Sequence, residues 1–389
     1  MKILVASHTY IVPLNQQKLK ILASLNPEIQ VTIVVPRYWK PGGVQSQAIE
    51  TKFYQEGSFK VVPISNFSQN HQGLLTFGAD LIKLLRDFKP QIIQVEQGSK
   101  SLAYAQSIAL NKLLKIQAKN IFFTWWNLPY QLKWPISELE AYNLKHTDGI
   151  VVGNQDGAAI LREHGYSGPI KIMPQLGVDE SLFRPTGYDT HLSQQLNIQP
   201  TDFIVGFVGR FVEEKGLLTL AKALSGIQED PWKWLLVGRG ELRPRLTEAA
   251  KTWGIQDRLI WVDSIPHDRV YRYLNLMNVL VLPSETSNQF QTFSVRGWQE
   301  QFGHVLIEAM ACQVPVIGSN CGEIPHVIQD AGLVFPEGDV AALRDCLRRL
   351  MGVPELAAEL GKRGYRRVME NYTNRILAEQ LLEFYHQLF

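Results

Sequence analysis

The sequence predicts an α/β protein built from two doubly wound, Rossmann-like domains, and three observations carry that prediction. Short apolar runs rich in Ile and Val alternate with stretches of helical periodicity. The alternation halts near the middle, at a stretch rich in Pro and Gly, and then restarts. The length, 389 residues, suits two domains at roughly 100–200 residues each. Strand–helix alternation implies a parallel sheet covered on both faces. Two such domains of similar size place a ligand cleft between them, at the C-terminal edges of the strands.

Taken in order, residues 3–6, 31–35, 92–95, 121–123 and 149–152 read as buried strands, short and bounded by turn residues. Residues 16–25, 74–87 and 101–118 read as the helices between them. Residues 173–185 read as the linker, with Pro174, Gly177, Pro185 and Gly187 close together. Beyond it, strands are predicted at 203–208, 234–237, 259–262, 279–282, 315–317 and 333–335. Helices are predicted at 216–224, 241–251, 267–275, 305–311, 340–350 and 354–369. The polar and aromatic segment 287–298 reads as a long loop at the mouth of the cleft, with a plain surface excursion as the rival reading. The expected boundaries are 1–183 and 184–371.

Composition narrows the class. The formal net charge is +2, which gives no sign of bulk nucleic-acid binding. Lys and Arg outnumber Asp and Glu in the first half, which suits an anionic acceptor or lipid surface as well as chance variation. The cysteines, Cys312, Cys321 and Cys346, are odd in number and lack metal-ligand spacing, which fits a reducing cytoplasm. No apolar run is long enough to span a bilayer, and the first residues read as a strand rather than a signal peptide. A cytoplasmic protein is expected, with peripheral contact at the inner face of the membrane left open.

The richest segment is Glu300-Gln301-Phe302-Gly303-His304-Val305-Leu306-Ile307-Glu308. Gly303 suits a tight turn into a helix, and the residues after it are good helix formers. Glu300 then lies on the loop before the helix and Glu308 just past its first turn. Backbone N–H groups of Phe302, Gly303, His304 and Val305 lie between them, at a helix start that attracts anions. Two acceptors around an anion hole suit a ligand with hydroxyls at both ends and phosphate in the middle, the layout of a nucleotide sugar. Paired carboxylates could instead suggest a glycosidase acid and base, but the neighbouring cations argue for donor positioning.

Those cations follow the first strand of the second half, in Gly209-Arg210 and Glu213-Glu214-Lys215-Gly216. Gly209 lets a diphosphate approach the backbone, Arg210 offers a planar fork and Lys215 a point charge. A solvated Arg and Lys beside a helix start is the plain alternative. Gly238-Arg239-Gly240 is a partial dinucleotide fingerprint without its third glycine. No Asp-x-Asp pair, His-Glu-x-x-His or Walker loop occurs, so no metal site is predicted and no cofactor is expected.

Four segments together resemble the GT-B glycosyltransferases of family 4. They are Gly209-Arg210 with Glu213 to Gly216; Gly177-Val178-Asp179 with Phe183 and Pro185; Glu300 to Glu308 continuing as Ala309-Met310-Ala311-Cys312; and Gly322-Glu323-Ile324-Pro325. The resemblance is strong over 145–345 and weak before it. It implies a GT-B fold, two Rossmann-like domains facing across a cleft, and retaining transfer of a sugar from a nucleotide diphosphate donor to an acceptor hydroxyl. UDP-glucose is the first donor it suggests, with UDP as product and no metal. By position, Arg210 and Lys215 would hold the diphosphate, Glu308 the ribose and Glu300 the sugar, with Glu300, Arg210 and Lys215 closest to catalysis. The base would lie near Arg239, Ser264 and Ile265. The last helix, 375–389, would pack back on the first domain.

The first half departs from that pattern. The Gly-Gly loop usual after the first strand is replaced by residues 7–15, without glycine, so His8 or Tyr10 is a candidate to face the acceptor. The usual His after the fourth strand is replaced by Trp125-Trp126-Asn127. Trp126 is the candidate to stack on a sugar, Trp125 to fill core, and Asn127 to bond a hydroxyl. Glu96 ends a strand on the same edge and is the candidate to orient the acceptor, with an N-cap or surface role as the rival reading. That acceptor is expected to be a glycan, a lipid-linked intermediate of surface polysaccharide assembly, or a soluble glucoside. A GT-B-like epimerase and a catalytically silent relative are the rival readings.

Overall fold

The computed structural model describes residues 1–40, 48–291 and 296–389. The chain divides into two compact units, Met1–Gly177 with Asn374–Phe389, and Val178–Thr373.

The first unit runs β1 (Lys2–Ala6), α1 (Gln17–Ser24), β2 (Gln30–Pro36), β3 (Tyr38–Trp39), β4 (Ile49–Glu50), β5 (Tyr54–Glu56), β6 (Phe59–Ile64), α2 (Asp80–Phe88), β7 (Ile92–Val95), α3 (Leu102–Leu113), β8 (Lys119–Thr124), α4 (Ile136–Lys145), β9 (Gly149–Val152), α5 (Gln155–Glu163) and β10 (Ile170–Ile172). Its main sheet has the order β10-β9-β8-β7-β1-β2-β6-β5. All pairings are parallel except β5 with β6. The central strands are buried along their length, as covering on both faces requires. Helix starts are set by local chemistry: Ser101 Oγ accepts from Tyr104 N–H at 3.2 Å and Asn154 Oδ1 from Gly157 N–H at 2.8 Å.

The second unit runs α6 (Thr190–Gln195), β11 (Phe203–Val208), α7 (Leu217–Ser225), β12 (Trp232–Val237), α8 (Arg243–Thr252), β13 (Leu259–Val262), α9 (Val270–Leu274), β14 (Val279–Leu282), β15 (Ser287–Gln291), β16 (Arg296–Trp298), α10 (His304–Ala311), β17 (Val316–Ser319), α11 (Ile324–Ile328), β18 (Leu333–Phe335), α12 (Val340–Gly352) and α13 (Pro354–Asn371). Among the described residues, its main sheet has six strands, all parallel, in the order β13-β12-β11-β14-β17-β18. Numbered within the unit this is 3-2-1-4-5-6, the doubly wound order, with the direction of winding reversing between β11 and β14. Loops leaving the C-terminal ends of those two strands therefore meet, and ligands of open α/β sheets bind at such a point.

The chain crosses between units at Gly177 and again at Asn374, where α14 (Asn374–His386) joins the first unit. Leu377, Leu381 and Phe384 of α14 enter that unit's core, and Tyr385 Oη donates to Gln94 Oε1 at 2.9 Å. The first crossing thus lies before Val178, not after residue 183. Val178 N–H donates to Tyr372 O at 2.8 Å, and Phe183 is buried with its ring 5.3 Å from that of His267, so both belong to the second unit.

Other departures from expectation have local causes. The helix expected at 74–87 begins only at Asp80, because Phe77 pairs with Asn66 and Gly78 N–H bonds to Ser65 O at 2.7 Å. Helix α3 ends at Leu113, where Lys115 and Gln117 take positive φ. The loop expected at 287–298 is in its described part an antiparallel hairpin, with Ser287 opposite Trp298, and residues 292–295 lie outside the described residues.

Candidate functional site

The loops after β11 and β14 bring Lys215 and Glu300 together. Lys215 Nζ lies 2.5 Å from Glu300 Oε2, with the two side chains only 15% and 9% exposed. Ser284, fully buried after β14, donates its hydroxyl to the same Glu300 oxygen at 2.8 Å. Two charges this far from water need each other and further hydrogen bonds, and the cluster supplies both. The approach is close because Gly216, next to Lys215, packs on Pro283: a Cβ there would lie 1.8 Å from Pro283 O. Glu285 N–H also donates to Glu214 O at 2.9 Å, tying the loops.

Glu300 is held from its other side by Gly322-Glu323-Ile324-Pro325. Glu323 N–H donates to Glu300 O at 3.0 Å. Gly322 has φ 53°, and a Cβ there would sit 2.1 Å from Glu300 O. Only glycine permits both that backbone and that approach. Gly303 then turns the chain into α10 with φ 82°. Phe302 is buried against Tyr372, ring to ring at 5.6 Å, while His304 and Val305 are half-buried at the helix start.

One turn along α10, Glu308 accepts from the His267 ring: Nε2 to Oε1 is 2.7 Å. That hydrogen bond raises the His267 pKa above its ordinary 6.5. Arg210 is 57% exposed and lies 3.5 Å from Glu214, a contact weak enough to be exchanged for a phosphate. Gly209 N–H donates to Val237 O at the end of β12, at 3.0 Å, and a Cβ on Gly238 would lie 1.9 Å from Gly209 O, so the two glycines pass closely. Arg239 and Ser264 are exposed and Ile265 half-buried on the loops after β12 and β13. Every donor-side residue expected from the sequence thus lies in the second unit on loops or a helix start at the C-terminal ends of its strands.

Ser284, Trp298 and His267 were not among the expected residues. Ser284 precedes the segment read as loop and Trp298 is its last residue, neither marked by a motif, and His267 gains meaning only beside Glu308. Trp298 places its ring 4.9 Å from Lys215 Nζ.

In the first unit the corresponding turn lies between β1 and β7, and here the expectations need correction. Tyr10 is fully buried in the core and does not face an acceptor. Glu96 is 4% exposed, its oxygens taken by Gln94 Nε2 at 2.7 Å and Gln175 Nε2 at 2.6 Å. It organises the interior of the unit instead of orienting a substrate. Lys18, also buried, is electrostatically coupled to it. Asn127 is likewise buried. His8 stacks near Trp39 at 5.0 Å, lies 3.0 Å from Gln72 Nε2, and is pushed by burial to a pKa of about 4, so it is neutral near pH 7. Trp126 is half-buried, its ring 4.2 Å from Lys100 Nζ and its Nε1 donating to Leu128 O at 2.6 Å. Trp125 packs edge-on against Phe123 at 5.0 Å.

Among the described residues, no group of three or more His, Cys, Asp or Glu is placed to hold a metal, and no helix is long and apolar enough to cross a membrane.

The two sheets and the loop-borne site define a doubly wound α/β protein with a cation–carboxylate cluster at its switch point. Residues 189–367 match the family model described as glycosyl transferases group 1. The capsular polysaccharide biosynthesis glycosyltransferase CapM of Staphylococcus aureus is 29% identical over 189 residues, 48% of this chain and 46% of that protein. The chain spans about half the length of the curated relatives it matches. Among solved structures, sucrose-phosphate synthase from Thermosynechococcus elongatus aligns with a TM-score of 0.73 at 22% identity, covering 100% of this chain and 99% of that one. Anabaena Alr3699/HepE, solved with UDP, aligns with a TM-score of 0.72 at 14% identity over 100% of both chains. These likenesses show the fold, that of the GT-B glycosyltransferases.

Proposed function

We propose that the chain is a retaining glycosyltransferase of family 4 that moves a hexose from a nucleotide diphosphate sugar to an acceptor hydroxyl. The Lys215–Glu300–Ser284 cluster at the switch point, inside the segment that matches the transferase model, is the observation that carries this reading. In it, Arg210 and Lys215 bind the diphosphate, Glu308 accepts from the ribose hydroxyls and Glu300 reads the sugar. The acceptor oxygen attacks the anomeric carbon on the face from which the phosphate departs. The bond to the phosphate oxygen breaks, and that oxygen takes the acceptor's proton. Arg210, Lys215 and the start of α10 offset the charge that develops, without a metal.

UDP-glucose is the first donor to test, because the Anabaena neighbour was solved with UDP and also with UDP-glucose. Surface or exopolysaccharide assembly, at the inner face of the membrane, is the setting that the CapM likeness and the basic first half favour. The test is incubation with a panel of nucleotide sugars, with and without glycan, lipid-linked and glucoside acceptors, following release of nucleoside diphosphate. Acceptor-dependent release that Glu308→Ala weakens supports the reading. Conversion of the sugar nucleotide without an acceptor would point to an epimerase. Absence of binding to any donor would leave a silent relative and end the transferase reading.

A further inference from the structure

The hairpin of β15 and β16 has no task in the donor scheme above, yet it delivers Trp298 to the site. Its base is fixed: Ser287 pairs with Trp298, and Thr286 donates to Glu337 Oε2 from both its N–H, at 2.7 Å, and its hydroxyl, at 3.0 Å. Gln299 Nε2 reaches Thr286 Oγ1 at 3.4 Å. Trp298 is half-buried, with its ring 4.9 Å from the Lys215 ammonium. The same ammonium sits 2.5 Å from Glu300 Oε2. One cation therefore engages an indole face and a carboxylate side by side.

An aromatic face beside a carboxylate is also what a pyranose requires. Its C–H face packs on the ring while its hydroxyls donate to the oxygens. A diphosphate offers Lys215 more negative charge than one carboxylate does. When the ammonium turns to it, Glu300 keeps the Ser284 hydrogen bond and is not stranded. We propose that Trp298 is the platform of the donor-sugar subsite, and that Lys215 covers both platform and Glu300 until a diphosphate draws it away. This rests on the nucleotide-sugar reading and adds to it a coupling: diphosphate binding opens the sugar subsite, so each ligand strengthens the other.

The experiment uses the full chain and saturation-transfer NMR with free glucose, galactose, mannose and N-acetylglucosamine, alone and with UDP, GDP or UMP; calorimetry measures nucleotide affinity. A hexose is expected to bind more tightly with the nucleoside diphosphate, on the order of tenfold, and to gain far less from UMP, which lacks the second phosphate. In Lys215→Met the gain should vanish, because the cover is gone in either state. Trp298→Ala should lose the hexose while keeping its affinity for the diphosphate, and Trp298→Phe should restore part of the hexose binding. If the diphosphate binds but the wild type shows no gain in hexose affinity, or Trp298→Ala holds the hexose unchanged, the proposal is overturned and the donor reading stands. If neither UDP nor GDP binds, both fall.

Discussion

Glu308 and His267 meet at 2.7 Å on the loop side of the second unit, and their pairing has a pH signature. The hydrogen bond to Glu308 favours the imidazolium, which raises the His267 pKa above 6.5. A group whose pKa is higher folded than unfolded adds stability that is complete below the unfolded value and is lost as pH rises through the folded one. The melting temperature of His267→Gln should therefore fall further below wild type at about pH 5.5 than at about pH 8.5. Equal differences at the two pH values would mean that the pair does not form in solution. Glu308→Ala removes a charged acceptor, a loss of about 1.5–3 kcal/mol. Donor affinity measured by calorimetry should drop roughly 10- to 100-fold, more than in Glu308→Gln.

At the scale of elements, the Glu300 loop depends on its neighbour. Gly322 is where the loop after β17 presses against the Glu300 carbonyl, at φ 53°. In Gly322→Ala the new Cβ and the left-handed backbone both oppose that contact, and such strain costs on the order of 1–3 kcal/mol. On the proposed reading the variant should lose turnover by more than it loses nucleotide affinity, because Glu308 and Arg210, the groups assigned to the ribose and diphosphate, lie inside α10 and after β11, away from the Gly322 contact. Calorimetry beside a turnover assay separates the two. Much at this scale was legible beforehand. The parallel strands of the second unit announced themselves as short apolar runs, since a strand covered on both faces must be apolar throughout. Strand β6 was missed because Lys60 and Pro63 interrupt its pattern. The hairpin was missed because its sequence is polar, and its pairing is confirmed only by what stands opposite.

For the whole molecule, the chain's return to its first unit carries the main consequence. Helix α14 follows 196 residues of the second unit, Val178–Thr373, and buries Leu377, Leu381, Phe384 and Tyr385 in the first. A chain ending at Thr373 should leave that core open. The part of the melting curve that belongs to the first unit should fall by many degrees, while the second unit, which holds its own sheet, keeps its transition. Differential scanning calorimetry with UDP present tells the two apart, because only the second should shift upward with ligand. A loss of both transitions would mean that the units do not fold independently.

The sequence by itself determined whatever one stretch of chain can specify. The parallel strands of the second unit are of this kind, as is the run from Glu300 to Glu308, where a turn, a helix start and two carboxylates follow one another within a few residues. Tertiary structure decided which distant groups meet. Lys215 and Glu300 are 85 positions apart and pair because β11 and β14 are neighbours at the switch point. His267 and Glu308, 41 positions apart, meet where the segment after β13 reaches α10. Glu96 looked like a group at the edge of a sheet, but Gln175, 79 positions away, closes over it and turns it into an interior acceptor. Local chemistry fixes a residue's type and direction of travel, whereas its partner depends on strand order, and no single segment encodes that.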